Sequence, residues 1–268
     1  MSLLGVARQY RNQANAFVVF DAGVSEFRKR LNPSYKMERK EKKPDKPLPD
    51  ISTASQFIHA VNQIAGIPSF MDTEIEGDDF INALLKFLVP EGGYSIIVSS
   101  DKDFYQVLSD KKKVLMYDPI KKEYVTEKSV IEMGFDPDCW RDQYIIFRSI
   151  TGDKDEVPKI MKGLGPSRAL PIAKTLCYGC RSSSKYADVV FESLDQVETN
   201  ISLFDLDVAF FAIKEQVCSI LRGYVPPQKP SLDRMRFVSA AFSKWELKEI
   251  SSRSSDIVHL ARRVPIAC

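Results

Sequence analysis

Two short apolar runs stand out along the chain. Phe17-Val-Val-Phe20 ends at Asp21, and Ser95-Ile-Ile-Val-Ser99 ends at Ser100-Asp101. Continuous apolar runs of this length with polar flanks predict strands buried on both faces, as in a parallel sheet. Between them the spacing becomes helical, with Phe57, Val61 and Ile64 across 55–64, then Phe80, Leu84, Leu85 and Leu88 across 79–88. Strand, helix, helix, strand is α/β alternation. Residues 113–118 and 123–125 predict a further strand pair joined by a Pro-Ile-Lys-Lys turn. After about residue 140, helices are expected over 140–150, 166–178, 185–194 and 205–222, with one or two more within 231–250. The stretch 251–268 carries only a weak helical signal.

Composition narrows the classes. The chain has 268 residues, 44% hydrophobic and 28% charged, with a net charge of +2. That suits one large or two modest domains and excludes collagen-like, disordered and small disulfide-stapled proteins. No apolar run approaches the roughly 18–20 residues of a membrane span. The opening seventeen residues show no secretory leader pattern, and five cysteines is an odd number. Both point to a reducing, intracellular setting. Cys177 and Cys180 form a lone C-x-x-C without histidine nearby. Structural zinc needs four close ligands, so plain thiols are the expectation there.

The chemistry-bearing residues are acidic. Asp21 and Asp101 follow the two apolar strands, where open α/β sheets place their ligands. Glu76-Gly-Asp78-Asp79 opens a helix, Asp103 follows Asp101 by two, and Gly152-Asp153-Lys-Asp155-Glu156 marks the junction with the helical half. Hard oxygen donors without histidine or cysteine suit Mg2+ or Mn2+. Two such ions can activate a water and stabilise both oxygens of a phosphodiester displacement. Each cluster also has a plainer reading, since acidic residues commonly cap helix starts and oppose the dipole.

Charge is distributed unevenly. From Phe27 to Lys46 the sequence holds nine basic and three acidic residues, with Tyr35 among them. Such a stretch can neutralise phosphates and stack on a base, or it can be a solvated loop. Lys162-Gly163-Leu-Gly165-Pro-Ser167-Arg168 joins two helical segments. A Gly-x-Gly turn lets a backbone approach closely and aims helix amides at an anion. An ordinary interhelical turn reads the same way.

In order, these segments resemble the flap endonuclease/5′-3′ exonuclease family, in the phage branch that includes the T-even phage ribonuclease H. The resemblance covers about residues 1–175. The family's E-A-D-D pattern falls on Glu76, Asp78 and Asp79, with Gly77 in the alanine place, and its D-x-D on Asp101 and Asp103. Its G-D-x-x-D-N pattern falls on Gly152, Asp153 and Glu156, with Val157 in the asparagine place. F-R falls on Phe27 and Arg28, and Y-K-x-x-R on Tyr35, Lys36 and Arg39. The family opens with a strand ending in a metal-binding aspartate; here Leu3–Gln13 reads as the helix after that strand, which would leave neighbouring strand edges unpaired.

The resemblance implies a PIN-like, mostly parallel α/β sheet over 1–145, with a basic helical arch at about 24–50. It implies a helical DNA-binding lobe over 146–268, with a helix-hairpin-helix at about 155–178. It implies a 5′ nuclease using two Mg2+ or Mn2+ ions on 5′ flaps, nicked or gapped duplexes, or RNA–DNA primer junctions in replication or repair. Asp21, Glu76, Asp78, Asp79, Asp101, Asp103, Asp153 and Glu156 would hold metal directly or through water, Asp101 and Asp103 at the reaction centre. Lys36 and Arg39 would stabilise charge on the phosphate. Arg28, Tyr35, Lys36, Arg39, Lys162, Gly163, Gly165, Ser167 and Arg168 would contact DNA, with K+ at the glycine turn. A replication polymerase, a single-strand-binding protein or a separate N-terminal fragment are the protein partners implied. The competing expectation is a DNA-structure-binding protein or split-nuclease subunit, inactive alone.

Overall fold

Both apolar runs become strands, in two different sheets. The structure is a computed structural model that describes residues 16–36, 55–56, 58–60, 62–63, 68–88, 93–153, 157–180 and 183–224. In it β1 (Val18–Asp21) lies parallel to β2 (Ser69–Asp72), with Asp21 opposite Asp72. β3 (Ser95–Val98) lies parallel to β4 (Val114–Asp118), which pairs antiparallel with β5 (Glu123–Val125). The expected turn of 119–122 joins β4 to β5, and Asp118 accepts from the backbone of Ile120 within it at 2.8 Å. The chain divides, interleaved along its length, into one compact unit of Met1–Gly23, Pro44–Gly77 and Glu215–Cys268 and another of Val24–Lys43 and Asp78–Lys214.

In the first unit the β1–β2 pair carries aromatic contacts. Phe17 stacks on Phe70 with centroids 6.3 Å apart, and Phe20 meets His59 edge-on at 5.7 Å. Ser69 Oγ lies 2.9 Å from His59 Nδ1, and Gln63 donates to the Ser69 carbonyl at 2.9 Å. Gly23 is required after β1, because a Cβ there would meet the Thr73 carbonyl oxygen at 2.2 Å.

The second unit is built on helices. α1 (Glu26–Leu31) is capped by Ser25, and α2 (Gly77–Leu88) opens on Asp78 and Asp79. A 3-10 helix (Lys102–Val107) follows β3, and α3 (Glu127–Ile131) begins with a reciprocal Thr126–Ser129 capping box. Then come α4 (Trp140–Thr151), α5 (Pro166–Cys177), α6 (Lys185–Glu192), α7 (Leu194–Phe204) and α8 (Leu206–Gly223), which belongs to this unit as far as Lys214. One core joins Ile97, Met116 and Val125 of the sheet to Phe104 and Tyr105 of the 3-10 helix and Trp140, Tyr144 and Ile145 of α4. A second core joins α4 through α7 by Ile150, Ala169, Ile172, Ala187, Val190 and Val197. Burying the larger of these side chains, the isoleucines, valines and Phe104 among them, contributes about 1.5–3 kcal/mol each.

β4 and β5 and the expected helices of 140–150, 166–178 and 205–222 match their sequence ranges to within two residues. The segment 194–204 was not expected as a helix. Its Thr199-Asn200-Ile201-Ser202 run is poor in helix formers. Tertiary contacts hold it instead. Buried Asn200 donates to the Ser149 and Pro158 carbonyls, both at 2.8 Å, and accepts from Gln196 at 2.9 Å. Leu3–Gln13, 231–250 and 251–268 lie outside the described residues.

Candidate metal centre

The start of α2 concentrates negative charge. In the continuous stretch Glu76 to Asp79, Glu76, Asp78 and Asp79 each bring a carboxylate oxygen to within 4.8 Å of the others. Acidic residues in a first turn oppose the helix dipole, which explains their local fit. Glu76 and Asp79 are buried, at 1% and 0% exposed. Burying a carboxylate is costly unless it is paired.

Asp79 finds its pair in Arg28 of α1. Arg28 Nη2 donates to Asp79 Oδ1 at 2.8 Å and Nη1 to Oδ2 at 2.5 Å, a bidentate fork, while Nε donates to the Leu203 carbonyl at 2.8 Å. Arg28 is itself 2% exposed. The structure thus gives Arg28 an interior carboxylate as partner. Tyr35 is buried too, in a small cluster with Val157 and Leu203. Lys36 sits beside it with φ +58°, its ammonium 5.3 Å from the Tyr35 ring centre. Arg39 and Glu156 lie outside the described residues.

The 3-10 helix supplies the next carboxylates. Asp101 caps it, accepting from the Asp103 amide at 2.9 Å. Buried Gln106 fixes the helix by donating to the Asp103 and Phe204 carbonyls and accepting from the Leu206 amide. Tyr144 adds a hydrogen bond to the Lys102 carbonyl at 2.8 Å. Burial, then the neighbouring Asp101 carboxylate, pushes the Asp103 carboxyl up to about 7; Arg148 opposes this and Asp78 adds to it. Arg148 of α4 donates to Asp103 Oδ1 at 2.8 Å and lies 3.7 Å from Asp153 Oδ2.

Asp153 follows the end of α4, where Gly152 adopts φ +63° and ψ 177°. Only glycine takes that conformation readily. A Cβ would also meet the Val157 carbonyl oxygen at 2.6 Å. Asp153 then donates its amide to the same carbonyl at 2.8 Å, closing the turn.

Asp78 and Asp101 therefore lie close enough to raise the Asp103 carboxyl, which Arg148 offsets only in part, while Arg28 lies 3.9 Å from Asp78. Carboxylates gathered this way favour a cation, and an all-oxygen donor set fits Mg2+ or Mn2+. Asp21 belongs to the other unit, exposed at the end of β1, where its Oδ1 accepts from the Gly77 amide at 3.4 Å.

Between α4 and α5 the glycine turn is open. Gly163 has φ +81°, and a Cβ at Gly163 or Gly165 would meet nothing within 4 Å. Gly165 caps α5 with Pro166 at its first position. Lys162, Ser167 and Arg168 are exposed, Arg168 donating to the Gly163 carbonyl at 2.8 Å and lying over the Tyr186 ring at 4.6 Å.

Arg148 and Gln106 were not sequence candidates. An arginine one helical turn before Gly152-Asp153 was the available signal for the first; nothing local marks the second.

A family model described as 5′-3′ exonuclease, N-terminal resolvase-like domain, matches residues 1–134. The chain is 32% identical over 168 residues to the flap endonuclease Xni of Shewanella loihica, covering 61% of this chain and 60% of that protein. It is 33% identical over 159 residues to a 5′-3′ exonuclease of Aquifex aeolicus, covering 59% of this chain and 51% of that one. Among solved structures, a flap endonuclease of bacteriophage T5 in a pseudo-enzyme-product complex with DNA and metal ions superposes with TM-score 0.60. It shares 19% identity, over 97% of this chain and 88% of that one.

Proposed function

The chain belongs to the 5′-3′ exonuclease family, and from that premise we propose that it is a divalent-metal-dependent 5′ nuclease acting on flap DNA. The matched stretch spans about 60% of the Shewanella relative, and that protein's being a flap endonuclease supports the reading. The observation that carries it is the gathering of Asp78 and Asp101 about Asp103, whose carboxyl burial and these two neighbours push up to about 7. Two structural neighbours of phage T5 hold metal ions, one of them with DNA, which supports the same assignment.

Asp78, Asp101 and Asp103, with Glu76 beside Asp78, would hold Mg2+ or Mn2+. When bound, the ion lowers the pKa of a water and offsets charge on the scissile phosphate. The protein's own contribution is orientation. The Gln106 network keeps the 3-10 helix in place, so Asp101 and Asp103 stay side by side. Arg28 holds Asp79 at the α2 start. Asp153, delivered by the Gly152 turn, lies 3.7 Å from Arg148. The open turn at 163–165, with Lys162, Ser167 and Arg168, would grip a duplex backbone in helix-hairpin-helix fashion, with K+ as the accessory ion. Lys36 and Arg39 would lie towards the phosphate, and a replication polymerase or single-strand-binding protein would be the protein partner. No helix among the described residues is long and apolar enough to cross a membrane.

Cleavage of a 5′-flapped duplex with and without Mg2+ tests the proposal. Metal-dependent release of the flap is expected from the wild type, and a loss of at least a hundredfold from Asp101→Asn. Equal rates for the two would refute it, and salt-sensitive binding of branched DNA without cleavage would favour a binding protein instead.

A further inference from the structure

Arg148 carries a role that none of the motifs assigned. It stands in the last turn of α4, with its guanidinium packed 5.2 Å from the centre of the Phe204 ring. Nη2 donates to Asp103 at 2.8 Å and faces Asp153 at 3.7 Å. Its Nε is buried and has no hydrogen-bond partner among the described residues. The side chain is 19% exposed.

These facts define how the group is used. Guanidinium does not lose its proton in proteins, so the charge is permanent. The ring face favours a cation and fixes its plane. A buried Nε left unpaired means that the two carboxylates, not the donor's own hydrogen-bonding needs, set the orientation. Asp103 sits on the 3-10 helix and Asp153 lies fifty residues later, beyond the end of α4. One guanidinium reaches both.

We propose that Arg148 is a positioning residue and the resident counter-cation of the acidic centre. In the metal-free protein it neutralises Asp103 and draws Asp153 to the same place, and a divalent cation must share Asp103 with it. Metal affinity is thereby held below what the carboxylates alone would give. The inference rests on reading Asp78, Asp101 and Asp103 as a metal centre.

Titration of the full chain with Mn2+, followed by electron paramagnetic resonance of the free ion, tests it. A unit charge about 5 Å from a divalent ion, screened as in bulk water at a dielectric of about 80, changes cation affinity roughly tenfold. Arg148→Gln should therefore bind Mn2+ about tenfold more tightly, while melting lower than the wild type in chelator. Arg148→Lys, which keeps the charge, should stay within about threefold of the wild type. A folded Arg148→Gln binding no more tightly than wild type overturns the inference alone, as does an Arg148→Lys that binds tenfold more tightly. Asp101→Asn separates the two readings. If the wild type binds Mn2+ and Asp101→Asn does not, the metal centre stands whatever Arg148 does. If the wild type binds none, both fall.

Discussion

The Arg28–Asp79 pair allows a sharp test of what the basic segment near residue 28 does. Arg28 is 2% exposed and Asp79 0%. Three donors of Arg28 are used, two on Asp79 and one on the Leu203 carbonyl. Replacing Asp79 by Leu leaves a guanidinium buried without its carboxylate. Replacing Arg28 by Met leaves a buried carboxylate without its counter-charge. Removing one partner of such a pair costs about 3–5 kcal/mol, whereas replacing both by apolar groups is far milder. The double variant leaves the Leu203 carbonyl without that donor and takes Arg28 away from Asp78, 3.9 Å off, at about 1–3 kcal/mol.

The singles should then sum to about 6–10 kcal/mol against a double of about 1–3, giving a coupling well above 2 kcal/mol. Urea unfolding in the presence of chelator, with the slope m checked for constancy, measures all four proteins without any contribution from metal. Singles below about 1 kcal/mol that add in the double would refute the reasoning. The same variants discriminate the DNA role expected from the sequence. A phosphate contact would leave stability unchanged and lower the slope of log affinity against log salt by about one.

Three further outcomes follow from the structure. Because the Asp103 carboxyl is pushed from 3.8 up to about 7, the folded metal-free protein binds that proton more tightly than the unfolded chain, so stability falls as pH rises from about 4 to 7 and the full cost persists above 7. That interval is worth about 4 kcal/mol at 1.36 kcal/mol per pH unit; after loss of the Arg148 hydrogen bond, Asp103→Asn should stabilise the protein by on the order of 2 kcal/mol at pH 8 and not at pH 4, and equal effects at both pH values, seen by thermal melting in chelator, would sink this. Gly152→Ala should cost on the order of 2–4 kcal/mol, from its positive φ and the Val157 clash, whereas Gly77→Ala, whose Cβ meets Asp21 at 3.4–3.5 Å in ordinary contact, should be neutral or add up to about 1 kcal/mol; calorimetry ranking them the other way would contradict both. Burial and the neighbouring Cys139 push the Cys177 thiol up to about 11, while Cys180 is exposed, so iodoacetamide at pH 8 should label Cys180 before Cys177 by peptide mass spectrometry.

How much of this was legible in the sequence depends on what each signal measures. Apolar runs and 3.6-residue spacing report burial of whole elements, and they located β1, β3, β4, β5 and the long helices. They missed α7 because its stability comes from Asn200 and its two distant carbonyls rather than from local propensity. Spacing also put Asp78, Asp101 and Asp103 at element ends, and helix and strand ends fix where a carboxylate emerges. It could not tell which basic residues answer them.

That gap has one physical cause. A basic residue in a sequence looks the same whether it meets a phosphate or a carboxylate; burial decides, and burial of a charge is a tertiary property. Arg28 sits inside the second unit against Asp79, Arg148 against Asp103, and Arg141 bridges Asp205 and Asp207 at 2.9 and 3.1 Å. Each uses its charge on the protein's own carboxylates. The net charge of +2 is therefore not a simple contrast of acidic centre and basic surface. Part of it is internal neutralisation, and under the proposed function the cations available to nucleic acid would be exposed ones such as Lys162 and Arg168. A charge count over a segment such as 27–46 overstates its capacity for phosphate by every arginine that folds inward. Arg28 is one of the nine.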